Sequence, residues 1–265
     1  MNTAWILGPC SIESRVLYFE VGERLRDLLQ GREWYYKASF DKANRSTILG
    51  QRGPGFTSGV AIFREFKQSF PQVMLTTDIH ECHQAESLAP YIDCIQIPAF
   101  LCRQTDLLVE CGKHFNKVNI KKGQWLSPEN ILGAAEKVRS ANEHAKVWLC
   151  ERGTQFGYDR LIVDFRTTEL FSKVFDRVIL DCTHSTQCMG GDGVMSGDRQ
   201  LAEKYLLCSS IFGYSGVFAE VHPNPEVAIS DSKCQIDLGH LPSLLRRFDG
   251  IVAGGHAAVL GDSSL

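Results

Sequence analysis

Short apolar runs recur along the chain, and each ends in polar or charged residues. The first, Trp5 to Leu7, breaks at Gly8, Pro9 and Cys10, and from Ser14 the spacing of Val16, Leu17, Phe19, Val21, Leu25 and Leu28 predicts a helix. Trp34 to Lys37 predicts a second strand, and Val60, Ile62, Phe63, Phe66 and Phe70 a second helix. Val73 to Thr76 is a third strand with a polar tip at Asp78, Ile79, His80 and Glu81, followed by a short helix over Gln84 to Leu88. Cys94 to Ile97, capped by Pro98, precedes a helix over Arg103 to Cys111. Val118 to Lys121 precedes the helix start at Ser127, Pro128, Glu129 and Asn130, which leads into Ile131 to Val138. Further strands are predicted at Val147 to Cys150, Arg177 to Leu180 and Ser215 to Phe218. Eight such strands alternating with helical patterns, with no break in composition, predict a single (β/α)8 barrel spanning residues 1–265, with a doubly wound open sheet as the alternative. Gly153 to Phe165 and the glycine-rich Cys188 to Asp198 fit the repeat poorly, and the second reads as a mobile loop.

The strand ends carry the chemistry. In a parallel barrel the carboxyl ends of the strands meet on one face. Here they read Cys10, Lys37, Asp78, Gln96, Lys121, Arg152, His184 and Glu220. After the second strand the stretch from Lys37 to Gly55 gathers Lys37, Lys42, Arg45 and Arg52 among Ser39, Asn44 and Ser46, with Asp41 its one acid. Ammonium, guanidinium, amide and hydroxyl donors together suit phosphate and carboxylate oxygens. Cys10, His184 and Glu220, with Asp231 in the loop beyond, form a borderline donor set able to hold zinc, iron, manganese or cobalt. The same residues also suit a buried thiol and a hydrogen-bonding imidazole, but a shared position at a barrel mouth favours the divalent metal.

Composition narrows the partners. With 44% hydrophobic and 22% charged residues the chain can bury a sizeable core, and a net charge of -3 leaves no footprint for nucleic acid, so the anion site is local and its ligands are small. Ten cysteines in a chain that opens on MNTAWILGPC, with no signal-type start, predict reduced thiols and a cytoplasmic location. No apolar run approaches the roughly 20 residues of a membrane span, so no membrane partner is expected.

Several long segments resemble the 3-deoxy-D-manno-octulosonate 8-phosphate synthases: GPCSIES from Gly8, KASFDKANRS from Lys37, RGPG from Arg52, TDIHE from Thr77, IQIPAFLCRQTDLL from Ile95, VNIKKGQ from Val118, ERGTQFGYD from Glu151, DCTHSTQ from Asp181 and VFAEVHPNPE from Val217. The resemblance implies a (β/α)8 enzyme that condenses phosphoenolpyruvate with arabinose 5-phosphate, a step of lipopolysaccharide inner-core sugar synthesis. Cys10 and Gly123 are similar to the metal-dependent branch, with Cys10, His184, Glu220 and Asp231 as the implied ligands. It further implies Lys37, Ser39, Lys42, Gln96, Lys121, Arg152 and His184 around phosphoenolpyruvate, and Asn44, Arg45 and Ser46 on the sugar phosphate. Arg103 is implied to reach in from a neighbouring subunit of a homotetramer. Lys42 is the candidate to polarise the aldehyde or protonate the new alkoxide, and Lys42, His184, Asp78 and Asp231 form the expected catalytic set. The loop Cys188 to Arg199 departs in part from the family pattern, and the chain after Leu238 resembles it only loosely. Alternatives are a heptulosonate-phosphate or sialic acid type of condensing synthase, Schiff-base chemistry on Lys42 or Lys37, and a non-catalytic phosphosugar-binding barrel.

Overall fold

The computed structural model of the chain describes residues 3–45, 48–189 and 195–260. Eight parallel strands close into a barrel: β1 (Ala4–Gly8), β2 (Trp34–Lys37), β3 (Met74–Asp78), β4 (Cys94–Ile97), β5 (Lys117–Lys121), β6 (Lys146–Glu151), β7 (Arg177–Asp181) and β8 (Gly216–His222). Closure is made by β8 on β1, in register from Ala4 opposite Gly216 to Gly8 opposite Glu220. This is the predicted (β/α)8 barrel, and the open-sheet alternative is excluded by that pairing. A short strand at Ile236–Asp237 adds beside the end of β8.

Helices α1 (Arg15–Leu28), α2 (Phe56–Ser69), α3 (Ala85–Leu88), α4 (Thr105–His114), α5 (Gly133–Arg139), α6 (Thr168–Ser172), α7 (Arg199–Cys208) and α8 (Leu241–Leu260) fill the outer ring. Ser14 caps α1 by accepting the Leu17 N–H at 3.1 Å, and Asp198 caps α7 by accepting that of Leu201 at 2.9 Å. α8 completes the ring after Leu238, with Leu241, Leu244, Leu245 and Phe248 buried. Among the described residues no helix is long and apolar enough to cross a membrane.

Two apolar layers follow from strand alternation. Trp5, Leu7, Tyr36, Ile95, Val118, Leu149 and Val217 face the helices, while Ala4, Ile6, Tyr35, Cys94, Trp148, Cys150, Ile179 and Phe218 fill the barrel interior. The two poorly fitting stretches are irregular. Gly153 to Phe165 carries a bridge from Thr154 to Ile162 and a left-handed Phe156 (φ 78°), and Cys188–Met189 pairs antiparallel with Met195–Ser196. Of the Cys188 to Asp198 stretch expected to be a mobile loop, residues 190–194 lie outside the described residues.

Candidate active site

Extending the interior face one layer toward the carboxyl ends replaces the apolar side chains with Lys37, Asp78, Gln96, Lys121, Arg152, Asp181 and Glu220. Six of the eight predicted strand-end residues, Lys37, Asp78, Gln96, Lys121, Arg152 and His184, line one cavity of about 470 Å³, together with Lys42, Asn44, Arg45 and Asp231. Cys10 and Glu220 lie buried at the same mouth, within a few ångströms of Asp231. Phe218 lies in the apolar layer beneath, with Lys121 Nζ 3.2 Å from its ring centre. Gly8 lets β1 approach β2 here, since a side-chain carbon on it would fall on the Lys37 carbonyl.

The acids that balance the basic loop come from other strands. Lys37 Nζ donates to the Cys10 carbonyl at 3.0 Å and lies 3.3 Å from Glu220 Oε1, and Lys42 Nζ stands 3.6 Å from Asp231 Oδ2. Burial pulls the ammonium of Lys37 down, but Asp78 and Glu220 outweigh it, so its pKa is raised. Burial opposes the charge of Lys42 too, yet the anionic form of Cys10 and the carboxylates of Asp231, Glu220 and Asp78 raise it well above an ordinary lysine. Burial alone would raise Asp78, but Lys37, His80 and Lys42, with a hydrogen bond from Ser39, hold it below the usual carboxylate range. Asp41, the loop's own acid, is taken by Arg52.

Asp181 organises the far side. It bonds Lys121, accepts the backbone N–H of Thr183 at 3.2 Å and of His184 at 2.9 Å, and meets His184 Nδ1 at 2.8 Å. Burial would raise its carboxyl, but His184 and Lys121 hold it well below normal. A proton on Nδ1 is thereby fixed, and His184 Nε2 faces Glu220 Oε1 at 3.5 Å. Arg152 donates to Gln124 Oε1 at 2.8 Å and Gln187 Oε1 at 2.6 Å, both neutral acceptors, and Gln187 Nε2 donates to Asp231 Oδ1 at 2.8 Å.

Donor atoms of Cys10, Glu220 and Asp231 lie within 4.8 Å of one another, with His184 alongside. Cys10 Sγ donates to Asp231 Oδ2 at 3.2 Å, and burial, then Glu220, push its thiol well above the ordinary value. The buried Glu220 Oε2 has no hydrogen-bond partner among the described residues. A thiol facing two carboxylates, one with an unused oxygen in the interior, fits a divalent cation, so the three form a possible metal-binding triad.

Some predicted residues fall elsewhere. Ser39 is buried and bonds Asp78 rather than lining the cavity, and Ser46 lies outside the described residues, while Arg45 lines the cavity and also grips the Ile229 carbonyl and the Ser230 hydroxyl. Arg103 is exposed and does not line the cavity of its own chain. Asp181, Gln124 and Gln187 were missed as site residues. Their signal lay in reading β7 one residue further, and in the glutamines that close the KKGQ and DCTHSTQ segments.

A closed barrel with a cation-lined cavity at its carboxyl face defines the class: a (β/α)8 protein built for polyanionic small molecules. The chain belongs to the DAHP synthetase I family, whose family model matches residues 2–249. Within that class several similar proteins carry the name 2-dehydro-3-deoxyphosphooctonate aldolase. The protein so named from Fusobacterium nucleatum is 43% identical over 94% of this chain and 91% of its own. Those from Chelativorans sp. (42% identical, 92% and 89%) and Bordetella petrii (40% identical, 91% and 87%) are similarly close.

Proposed function

We propose that this chain is an enzyme condensing phosphoenolpyruvate with D-arabinose 5-phosphate and water to 3-deoxy-D-manno-octulosonate 8-phosphate and inorganic phosphate, a step of lipopolysaccharide inner-core sugar synthesis. The observation that carries it is the convergence of Lys37, Lys42, Lys121 and Arg152 on one cavity above the Cys10, Glu220 and Asp231 triad. That cavity accepts several anionic groups at once, as two phosphorylated substrates require.

Phosphoenolpyruvate lies against Lys37, Gln96, Lys121 and Arg152, which hold its carboxylate and phosphate. The phosphate of the sugar meets Asn44 and Arg45, and Ser46 belongs to the same loop. Carbon 3 of phosphoenolpyruvate forms the new bond to the aldehyde carbon of the sugar phosphate. Positive character then develops at carbon 2, water adds there, and inorganic phosphate departs. Lys42, kept protonated by the surrounding anions, donates to the aldehyde oxygen as it becomes an alkoxide. Asp78 keeps Gln96 aimed at the cavity, and Asp181 does the same for Lys121 and His184. Cys10, Glu220 and Asp231, with His184 beside them, would hold zinc, iron, manganese or cobalt. Such a cation supplies a Lewis-acid centre for an aldehyde or water oxygen. Charged lysines disfavour a Schiff base, which requires a neutral amine.

Finer readings extend this proposal. An exposed Arg103 that misses its own cavity supports a homotetramer in which it serves a neighbour, and ten unpaired cysteines support a cytoplasmic setting. Residues 1–265 form one catalytic domain in this reading.

Phosphate release tests the function. Phosphoenolpyruvate with arabinose 5-phosphate should release one phosphate per sugar consumed, while erythrose 4-phosphate or N-acetylmannosamine should release little. A reversed aldehyde preference would move the assignment to another condensing synthase. Chelation should abolish release and added divalent metal should restore it; turnover that survives thorough chelation removes the metal. A borohydride-trapped adduct on Lys42 or Lys37 would replace the proposed chemistry.

A further inference from the structure

Asp231 has a left-handed backbone (φ 52°), a conformation uncommon for side-chain-bearing residues though better tolerated by aspartate than by most. It lies in the long connection between β8 and α8, whose regular pieces before Leu241 are a 3-10 turn at Pro225–Val227 and the two residues Ile236–Asp237. The grip on the residues just before Asp231 is specific. Glu13, from the loop after β1, accepts the Ile229 N–H at 3.1 Å. From the loop after β2, Arg45 donates through Nη2 to the Ile229 carbonyl and through Nη1 to Ser230 Oγ at 3.2 Å. Ser230 Oγ in turn donates to Asp231 Oδ2 at 2.7 Å.

The Arg45 grip is itself anchored, and Glu13 lies beside a buried histidine. Arg45 Nε donates to the Gln51 carbonyl at 2.7 Å. Glu13 Oε1 stands 3.5 Å from Nε2 of the buried His222, whose Nδ1 accepts the Asn224 N–H at 3.0 Å. Among the described residues that buried Nε2 makes no hydrogen bond, so Glu13 is close to His222 without being bonded to it. The chemistry assigned above uses neither Glu13 nor His222.

We propose that Glu13 and Arg45 clamp the Ile229–Ser230 segment from two sides and so position Asp231 as a metal ligand. This rests on reading the Cys10, Glu220 and Asp231 triad as a metal site. Arg45 commits three of its five N–H donors to the clamp and keeps two for a phosphate, so one side chain serves the sugar-phosphate end of the cavity and the metal end together. Ligand partners in this outer layer typically govern metal affinity by about 10–100-fold.

Cobalt(II) titration of the metal-free full-length chain, without substrates, tests the clamp through the thiolate-to-cobalt charge-transfer band of Cys10. Glu13→Ala and Arg45→Ala should each weaken cobalt binding by about 10–100-fold. Glu13→Gln, whose amide oxygen can still accept the Ile229 N–H, should stay close to wild type. Metal-free melting temperatures read any purely structural effect separately, and Arg45→Ala, in a partly exposed loop, carries the test should Glu13→Ala fail to fold. Unchanged cobalt affinity in both alanine variants overturns the clamp, as does Glu13→Gln binding as weakly as Glu13→Ala. A wild-type chain with no cobalt band overturns the metal reading itself and the clamp with it, whereas a normal wild-type band with unaffected variants sinks the clamp alone.

Discussion

The two ends of the barrel use the same residue types to opposite effect. At the amino-terminal end each acid closes a local account of hydrogen bonds. Asp93 accepts the Leu75 N–H at 2.7 Å and pairs with Lys67 at 2.7 Å. Asp176 accepts the Val147 N–H at 2.9 Å and pairs with Arg139 at 2.9 Å and Lys146 at 3.2 Å. Glu33 pairs with Arg177 at 2.6 Å. These carboxylates are partly exposed and tie strand starts to neighbouring strands and helices. At the carboxyl-terminal end Asp181 and Glu220 are fully buried, Glu220 Oε2 has no partner among the described residues, and Arg152 bonds two neutral amides. Charges satisfied pairwise stabilise; charges gathered without full compensation around a cavity await a ligand.

The strongest way to break this contrast is Arg152→Met. Because among the described residues the Arg152 side chain bonds only the amide oxygens of Gln124 and Gln187, its removal strands no carboxylate there, and the melting temperature should hold. Loss of one preorganised cation on the phosphoenolpyruvate should lower kcat/KM by about 10²–10³-fold. Steady-state kinetics beside a thermal melt checks both halves, and activity within tenfold of wild type would remove Arg152 from the substrate wall.

Lys122 sharpens the contrast, because it sits at the carboxyl end yet behaves like the other rim. It is buried 3.5 Å from Glu151 Oε1, and Glu151 also accepts the Gly153 N–H at 2.6 Å. Burial raises the Glu151 carboxyl despite Lys122, so the pair sits close to the limit of what the interior tolerates. Lys122→Met should cost about 3 kcal/mol of stability, read by denaturant unfolding. Lys122→Met with Glu151→Leu should recover much of it. A double variant as unstable as the single would show that Lys122 acts instead through its Nζ contacts with the carbonyls of Gly123 at 3.4 Å and Gly153 at 3.5 Å.

Lys122 also marks where sequence reasoning stopped. Within VNIKKGQ the strand end at Lys121 was legible, whereas the buried partner of Lys122 was not: strand alternation from Asn119 turns Lys121 inward and Lys122 to Glu151. The fold was legible because eight apolar runs coincide with eight strands, but the strand ends read short. β3 runs to Asp78, β7 to Asp181 and β8 to His222, since a barrel mouth accepts charged side chains as strand residues. That foreshortening put His184 in place of Asp181 as the interior residue of β7. The basic loop was legible as an anion site, while its counter-charges at Glu220 and Asp231 lie far along the chain and meet it only in the closed barrel.

The smallest expected effect tests the amino-terminal rim through pH. Burial would raise the Asp176 carboxyl, but the Val147 N–H, Arg139 and Lys146 outweigh it and hold the folded pKa below its ordinary value. A carboxyl with a lowered folded pKa stabilises fully above its unfolded pKa of about 3.9, and that contribution drains away as pH falls through the folded value. Because solvent screens these partly exposed ion pairs, Asp176→Ala should lose no more than about 1 kcal/mol at pH 7, with the gap to wild type narrowing below about pH 4 as wild type is protonated as well. Turnover at pH 7 should be unchanged, because Asp176 lies at the end of the barrel away from the cavity. Denaturant unfolding at pH 7 and pH 3.5 measures the gap. A gap that stays constant would mean that Asp176 acts through packing and a neutral hydrogen bond rather than charge, and the two rims would then differ in more than how fully their charges are satisfied.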